Sequence, residues 1–211
     1  MYVLLIVLFL FGTGPSATMG TGISHAGAKR FTRGQDAGLL YARFNEFTKF
    51  DGYFSKYSKR YFGAAFDWRY FKAQAIAESH LKEDARSAAG AVGIMQVMPR
   101  TFEEIRQKNP NIRGGLNQPR WNIAAGISYD RQHYLVWNAP RPLADKLKFM
   151  FGSYNAGRRN ILNAQRLALA DGLDENAWSS IETQLPAVTG AHNIETRNYI
   201  TRIFEIKPVL K

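Results

Sequence analysis

One carboxylate, Glu78, stands in an apolar setting. It follows Ala75-Ile76-Ala77, and a turn region rich in small residues (86–93) leads on to Gly93-Ile94-Met95-Gln96-Val97-Met98-Pro99. At 100° per residue Trp68, Phe71 and Ala75 share one helical stripe, and Glu78 lies on its edge. Burial disfavours the charged form of a carboxyl group and raises its pKa, which suits a proton donor working near neutral pH. A lone Glu on a helix is ordinarily a solvated surface group, so position alone leaves both readings open.

Helices must hold this group in place. Asp67 can cap a helix over residues 68–80. A short helix over 95–98 meets Pro99, and Thr101-Phe102-Glu103-Glu104 reads as a capping box opening the next. Residues 109–119 form a loop. A helix over 122–137 carries Ile123, Ile127, Tyr134 and Trp137, and Pro140 and Pro142 break it. Leu143, Leu147, Met150 and Phe151 mark another helix, residues 153–157 a turn, and 158–169 a further helix. Residues 171–193 read as loop, and 195–206 as the final helix. No period-two alternation or internal repeat is present, so the fold class is mostly α.

The 211 residues suit one domain with a leader and an extension. Residues 2–11 are an apolar run too short for a bilayer span, which needs about 20 residues. Ser24-His25-Ala26 resembles a signal cleavage site, so residues 1–26 read as a signal peptide or short hydrophobic segment, and the chain as exported. Residues 27–60 form a basic aromatic extension. The near-helical spacing of Phe44, Phe47, Tyr53, Phe54 and Tyr57 packs it on a domain spanning 61–211. The chain has no Cys, which excludes disulfides and thiolate metal sites. His25, His80, His133 and His192 lack ligand spacing, so no metal and no cofactor is expected. A net charge of +11 favours a polyanionic partner: an acidic wall polymer, anionic lipid or nucleic acid.

Five short motifs then appear in order: Glu78-Ser79; Gly93-Ile94-Met95-Gln96; Ala125-Gly126-x-x-Tyr129; Tyr154-Asn155-Ala156-Gly157; and Glu195-Thr196-Arg197-x-Tyr199. Together, over residues 61–206, they resemble the lytic transglycosylases, soluble and membrane-bound. The resemblance implies a goose-type, lysozyme-like helical domain with a substrate groove. It implies Glu78 as acid and later base, with Tyr154 beside it, its phenol hydrogen-bonding and orienting the carboxyl. Ser87, Gln96, Met98, Tyr129, Asn155, Glu195 and Tyr199 are implied to bind substrate. Ile94, Ser153 and Asp130 depart from the family pattern, and Asp130 adds a second carboxylate near the site.

The activity so implied is cleavage of peptidoglycan glycan strands between N-acetylmuramic acid and N-acetylglucosamine, leaving a 1,6-anhydro end. The protein would act as a monomer, periplasmic or bound to the cell envelope, or phage-encoded and wall-directed, with no specific nucleic-acid partner. Two alternatives stay open on the residues alone. One is a hydrolytic muramidase in which Asp130 or Glu195 assists a water. The other is a non-catalytic basic protein that binds wall or nucleic acid. Met95 reads as core rather than substrate contact, and Gly152 and Gly157 as backbone-geometry positions rather than catalytic ones.

Overall fold

The computed structural model describes residues 40–211. The leader expected over 1–26 and the first part of the extension expected over 27–60 lie outside the described residues. Among the described residues there are eight α-helices: α1 (Asp51–Phe62), α2 (Arg69–Ser79), α3 (Pro99–Lys108), α4 (Pro119–Val136), α5 (Leu143–Gly152), α6 (Arg158–Ala170), α7 (Trp178–Thr189) and α8 (Asn193–Ile206). They include no β-strand, only isolated bridges from Val92 to Arg86 and to Val97. None of these helices is long and apolar enough to cross a membrane.

Helix α4 is the central support. Pro119 opens it at a position where the missing N–H costs no helical bond, and Ile123, Ala124, Ala125 and Ile127 are fully enclosed. Small residues on α4 let other chain segments come close. A Cβ on Gly126 would stand 2.8 Å from the Met95 side chain, so glycine is required there. Helix α1 packs on α4 through Phe54 and Tyr57, and Phe44 and Phe50 join the same core. Helix α2 packs on α8, with Tyr70 and Phe204 in edge contact at 6.0 Å, while Phe71 of α2 meets Phe62 of α1 at 5.0 Å between ring centroids. Asp67 caps α2 as its sequence suggests, its Oδ1 accepting the Arg69 N–H at 3.1 Å.

Three local expectations are corrected. Residues 95–98 do not form a helix: 93–96 make a tight turn closed by a reciprocal pair of 3.1 Å backbone bonds between Val92 and Val97. Helix α3 opens at Pro99, with Met98 in extended backbone before it, so Thr101 is already inside the first turn. Glu104 and Glu103 pair with Arg100 and Arg106 rather than with the helix end. Residues 178–189 form α7, where the sequence reads as loop. Trp178, Ile181 and Leu185 recur at helical spacing and are buried, largely against α6. Pro186 falls in the last turn, where it interrupts little of the hydrogen-bond ladder.

Candidate active site

Glu78 is the second-last residue of α2, and the backbone reverses immediately after it. His80 and Leu81 are both left-handed, with φ of 54° and 63°. Two successive non-glycine residues in this region are costly, and such strain persists only where packing over-determines it. Leu81 is buried, and the His80 N–H closes the helix on the Ile76 carbonyl at 3.0 Å. A third left-handed non-glycine residue, Gln96 (φ 45°), lies in the 93–96 turn, which packs against the same helix end. Its amide nitrogen donates to Gly93 O at 2.8 Å and to Ala85 O at 3.2 Å, holding the turn in shape.

Side chains from three other elements anchor this turn. Ser79 Oγ donates to Ile94 O at 2.8 Å and so joins it to the end of α2. From α4, Asn122 Oδ1 accepts the Met95 N–H at 2.8 Å, while Nδ2 donates to Val92 O at 2.8 Å. The Tyr154 hydroxyl donates to Met95 O at 2.7 Å. Gly93 has φ of +78°, and a Cβ there would stand 2.6 Å from Asn122 Nδ2, so both conformation and space require glycine.

Tyr154 and Asn155 lie in a π-helical turn, Ser153–Gly157, between α5 and α6. Such widened turns re-aim side chains and recur at functional sites. Here Tyr154 reaches the 93–96 turn, and Asn155 Oδ1 accepts the Thr196 hydroxyl of α8 at 2.9 Å. Ser153, a departure from the family pattern, accepts the Trp137 indole N–H at 3.0 Å in the core. The hydrogen bond from Tyr154 to the Glu78 carboxyl expected from sequence is not made, because the phenol is committed to Met95. The two groups still interact electrostatically, and burial with the nearby Glu78 carboxyl raises the Tyr154 pKa.

The phenol that couples directly to Glu78 is Tyr199 of α8. Its hydroxyl is enclosed and has no partner in good hydrogen-bond geometry, yet it approaches Glu78 closely enough to stabilise the carboxylate. Desolvation outweighs that help. With Glu195 adding like charge, the Glu78 pKa is pushed up to about 8, Tyr199 and Arg202 opposing the rise. Glu78 retains partial solvent access, so the acid is dry but reachable.

The remaining candidates take distinct places. Tyr129 is half-buried and meets the Tyr154 ring edge-on at 5.5 Å between centroids. Glu195 is half-buried on α8 within electrostatic reach of Glu78. The Ser87 hydroxyl accepts the Ala91 N–H at 3.0 Å, closing its own loop. Met98 is 41% exposed where the turn enters α3. Asp130 is sealed at 0% exposure, with Oδ1 accepting Gln74 Nε2 at 3.3 Å, and desolvation raises its pKa well above the ordinary range. The anchoring roles of Ser79 and Asn122 and the electrostatic role of Arg202 escape a reading by residue type. Asn122, a polar residue at the start of an apolar helix, carries the one signal that could have revealed its part.

The transglycosylase SLT domain family matches residues 53–175. The chain belongs to that family. It is 32% identical over 163 residues to a membrane-bound lytic murein transglycosylase F of Vibrio parahaemolyticus, covering 71% of this chain and 29% of the relative. A Vibrio campbellii protein of the same name is 29% identical over 175 residues, covering 75% of this chain and 30% of the relative. The chain therefore spans about a third of the length of these relatives. The crystal structure of the 70 kDa soluble lytic transglycosylase from Escherichia coli shares the fold, with a TM-score of 0.58 and 24% identity over 77% of this chain and 24% of that one. The goose-type, lysozyme-like helical fold implied by the sequence is thus the one observed.

Proposed function

We propose that the protein is a peptidoglycan lytic transglycosylase acting at the cell envelope, with Glu78 as its acid and then its base. The observation that carries this reading is the placement of Glu78, a largely desolvated but reachable carboxyl group at the end of α2, beside the anchored 93–96 turn and the Tyr199 hydroxyl. Desolvation there raises its pKa and favours the protonated form that an acid catalyst needs. Family membership and the names of the relatives support the substrate class.

The Glu78 carboxyl donates its proton to the glycosidic oxygen between N-acetylmuramic acid and N-acetylglucosamine. The bond from the muramic C1 to that oxygen breaks, and N-acetylglucosamine leaves as an alcohol. The C1 cation is captured by the 6-hydroxyl of the same sugar, whose proton passes to Glu78. The acid is regenerated and no water is consumed. Tyr199 offers its hydroxyl to the carboxylate while the charge exists. Asp130 is too deeply enclosed to deliver a water to the sugar, which weighs against a hydrolytic role for it. Mass spectrometry of muropeptides released from purified sacculi tests the reading. Products one water lighter than hydrolytic fragments are expected, and products of hydrolytic mass would replace the transglycosylase with a muramidase.

A further inference from the structure

A second region of the described surface is built for anions. A cleft of about 350 Å³ is lined by Lys56 and Arg60 of α1, Asn111 and Arg113 of the loop between α3 and α4, and Arg120 and Trp121 of α4. No acidic residue lines it, and all four cations are exposed. None of the four forms an ion pair among the described residues, where Lys49, Arg69, Lys72 and Lys207 each have a carboxylate partner. A second opening of about 510 Å³ shares Arg120 and Trp121 with it. No candidate site residue lines either opening.

Three of the four cations, Lys56, Arg60 and Arg120, lie over aromatic rings. The Arg120 guanidinium lies 4.4 Å from the Trp121 ring centroid, and its Nε donates to Tyr57 Oη at 3.0 Å. Tyr57 in turn stacks on Tyr61, with Arg60 over the Tyr61 ring at 5.9 Å. Trp121 is seated by Gly114, where a Cβ would overlap its ring edge. Guanidinium groups held in this way lose little further freedom on binding and present fork geometry to a planar anion. Because Arg120 covers a face of Trp121, the ring is a poor stacking platform for nucleobases, while the Asn111 amide suits the amides of a peptide.

We infer that this cleft is a second, non-catalytic binding site for the carboxylate-bearing peptide stems of the wall polymer. The proposal rests on the reading of the protein as a peptidoglycan enzyme. It would hold the enzyme on an insoluble, many-stranded substrate while Glu78 acts on one strand.

The test measures binding of the full chain, in a Glu78→Gln background that prevents cleavage, to purified sacculi. Arg60→Gln with Arg113→Gln is expected to weaken binding about tenfold and to flatten its salt dependence. Lys56→Gln with Arg120→Gln should do the same. Sacculi with amidated carboxyl groups should bind the parent only as weakly as the variants bind native sacculi. Unchanged affinity and salt dependence in both double variants would overturn the proposal, as would tighter cleft-dependent binding to a single-stranded oligonucleotide than to sacculi. In the active chain, Arg60→Gln with Arg113→Gln should leave cleavage of a short soluble glycan lacking peptide stems unchanged. Failure of the parent to cleave any glycan would remove the enzymatic reading, while the binding comparison would still decide what the cleft holds.

Discussion

The two ends of α2 carry carboxylates in opposite states. Asp67, at the N-terminal end, accepts from the Arg69 backbone and guanidinium and pairs with Lys207 at 2.9 Å, so its pKa lies well below the ordinary carboxylate range. Glu78, at the C-terminal end, is desolvated, lies near another acid and sits where the helix dipole disfavours negative charge. One helix thus holds an acid satisfied as an anion and an acid satisfied as a neutral group. Asp67 binds α2 to the C-terminal segment and stabilises the fold. Glu78 is in an environment that is unfavourable once ionised, as a proton donor requires.

The sharpest break of this contrast is Glu78→Gln, which keeps the shape and removes the proton. Turnover on sacculi should fall by at least about 10²–10⁴-fold, and substantial retained activity would move the acid elsewhere. The same variant has a stability signature. The folded protein keeps the Glu78 proton between the ordinary value of 4.5 and about 8, where the unfolded chain has released it. Stability should therefore fall as pH rises through that window, by about 1.4 kcal/mol for each pH step of one across it, and level off above it. Relative to the parent, Glu78→Gln should gain melting temperature with rising pH, and parallel pH profiles would contradict a dry Glu78.

Gly93→Ala tests the turn that flanks Glu78. The left-handed backbone and the crowded Asn122 side chain predict a loss of about 2 kcal/mol or more in denaturant unfolding, with turnover per folded molecule also reduced. Tyr154→Phe removes one anchor of that turn. A loss of about 1 kcal/mol is expected, with a drop in turnover of roughly tenfold, within the range of positioning effects on acid–base catalysis. A lower melting temperature with normal turnover would assign Tyr154 a structural role alone. Asp67→Asn should have the smallest effect, about 1 kcal/mol at neutral pH, with turnover per folded molecule unchanged. Because the Asp67 pKa is depressed, its contribution is present above the ordinary 3.8 and lost as pH falls toward its lowered value, so parent and variant should converge in acid.

The helices with continuous apolar periodicity, α2, α4, α5, α6 and α8, were legible in the sequence because burial of one face fixes their phase. Helix α7 was obscured by polar residues and by Pro186, although Trp178, Ile181 and Leu185 kept helical spacing. Glu78 and its motif partners could be picked out, but not which phenol serves which carbonyl or carboxyl. Tyr154 and Tyr199 are alike as residue types. Only the π-helical turn, invisible to periodicity, sends the first to Met95 and leaves the second to Glu78.

The anchored turn has a consequence for how the chain can vary. Connections between helices usually tolerate insertion, because their backbone bonds to water. The Met95 amide is instead buried against Asn122, and both the amide and the carbonyl of Met95 are held by side chains from distant helices. Its deuterium uptake should be as slow as that of a core helix. One residue added between Gly93 and Val97 would misalign three anchors at once, so the length of this segment is as constrained as the identity of the acid beside it.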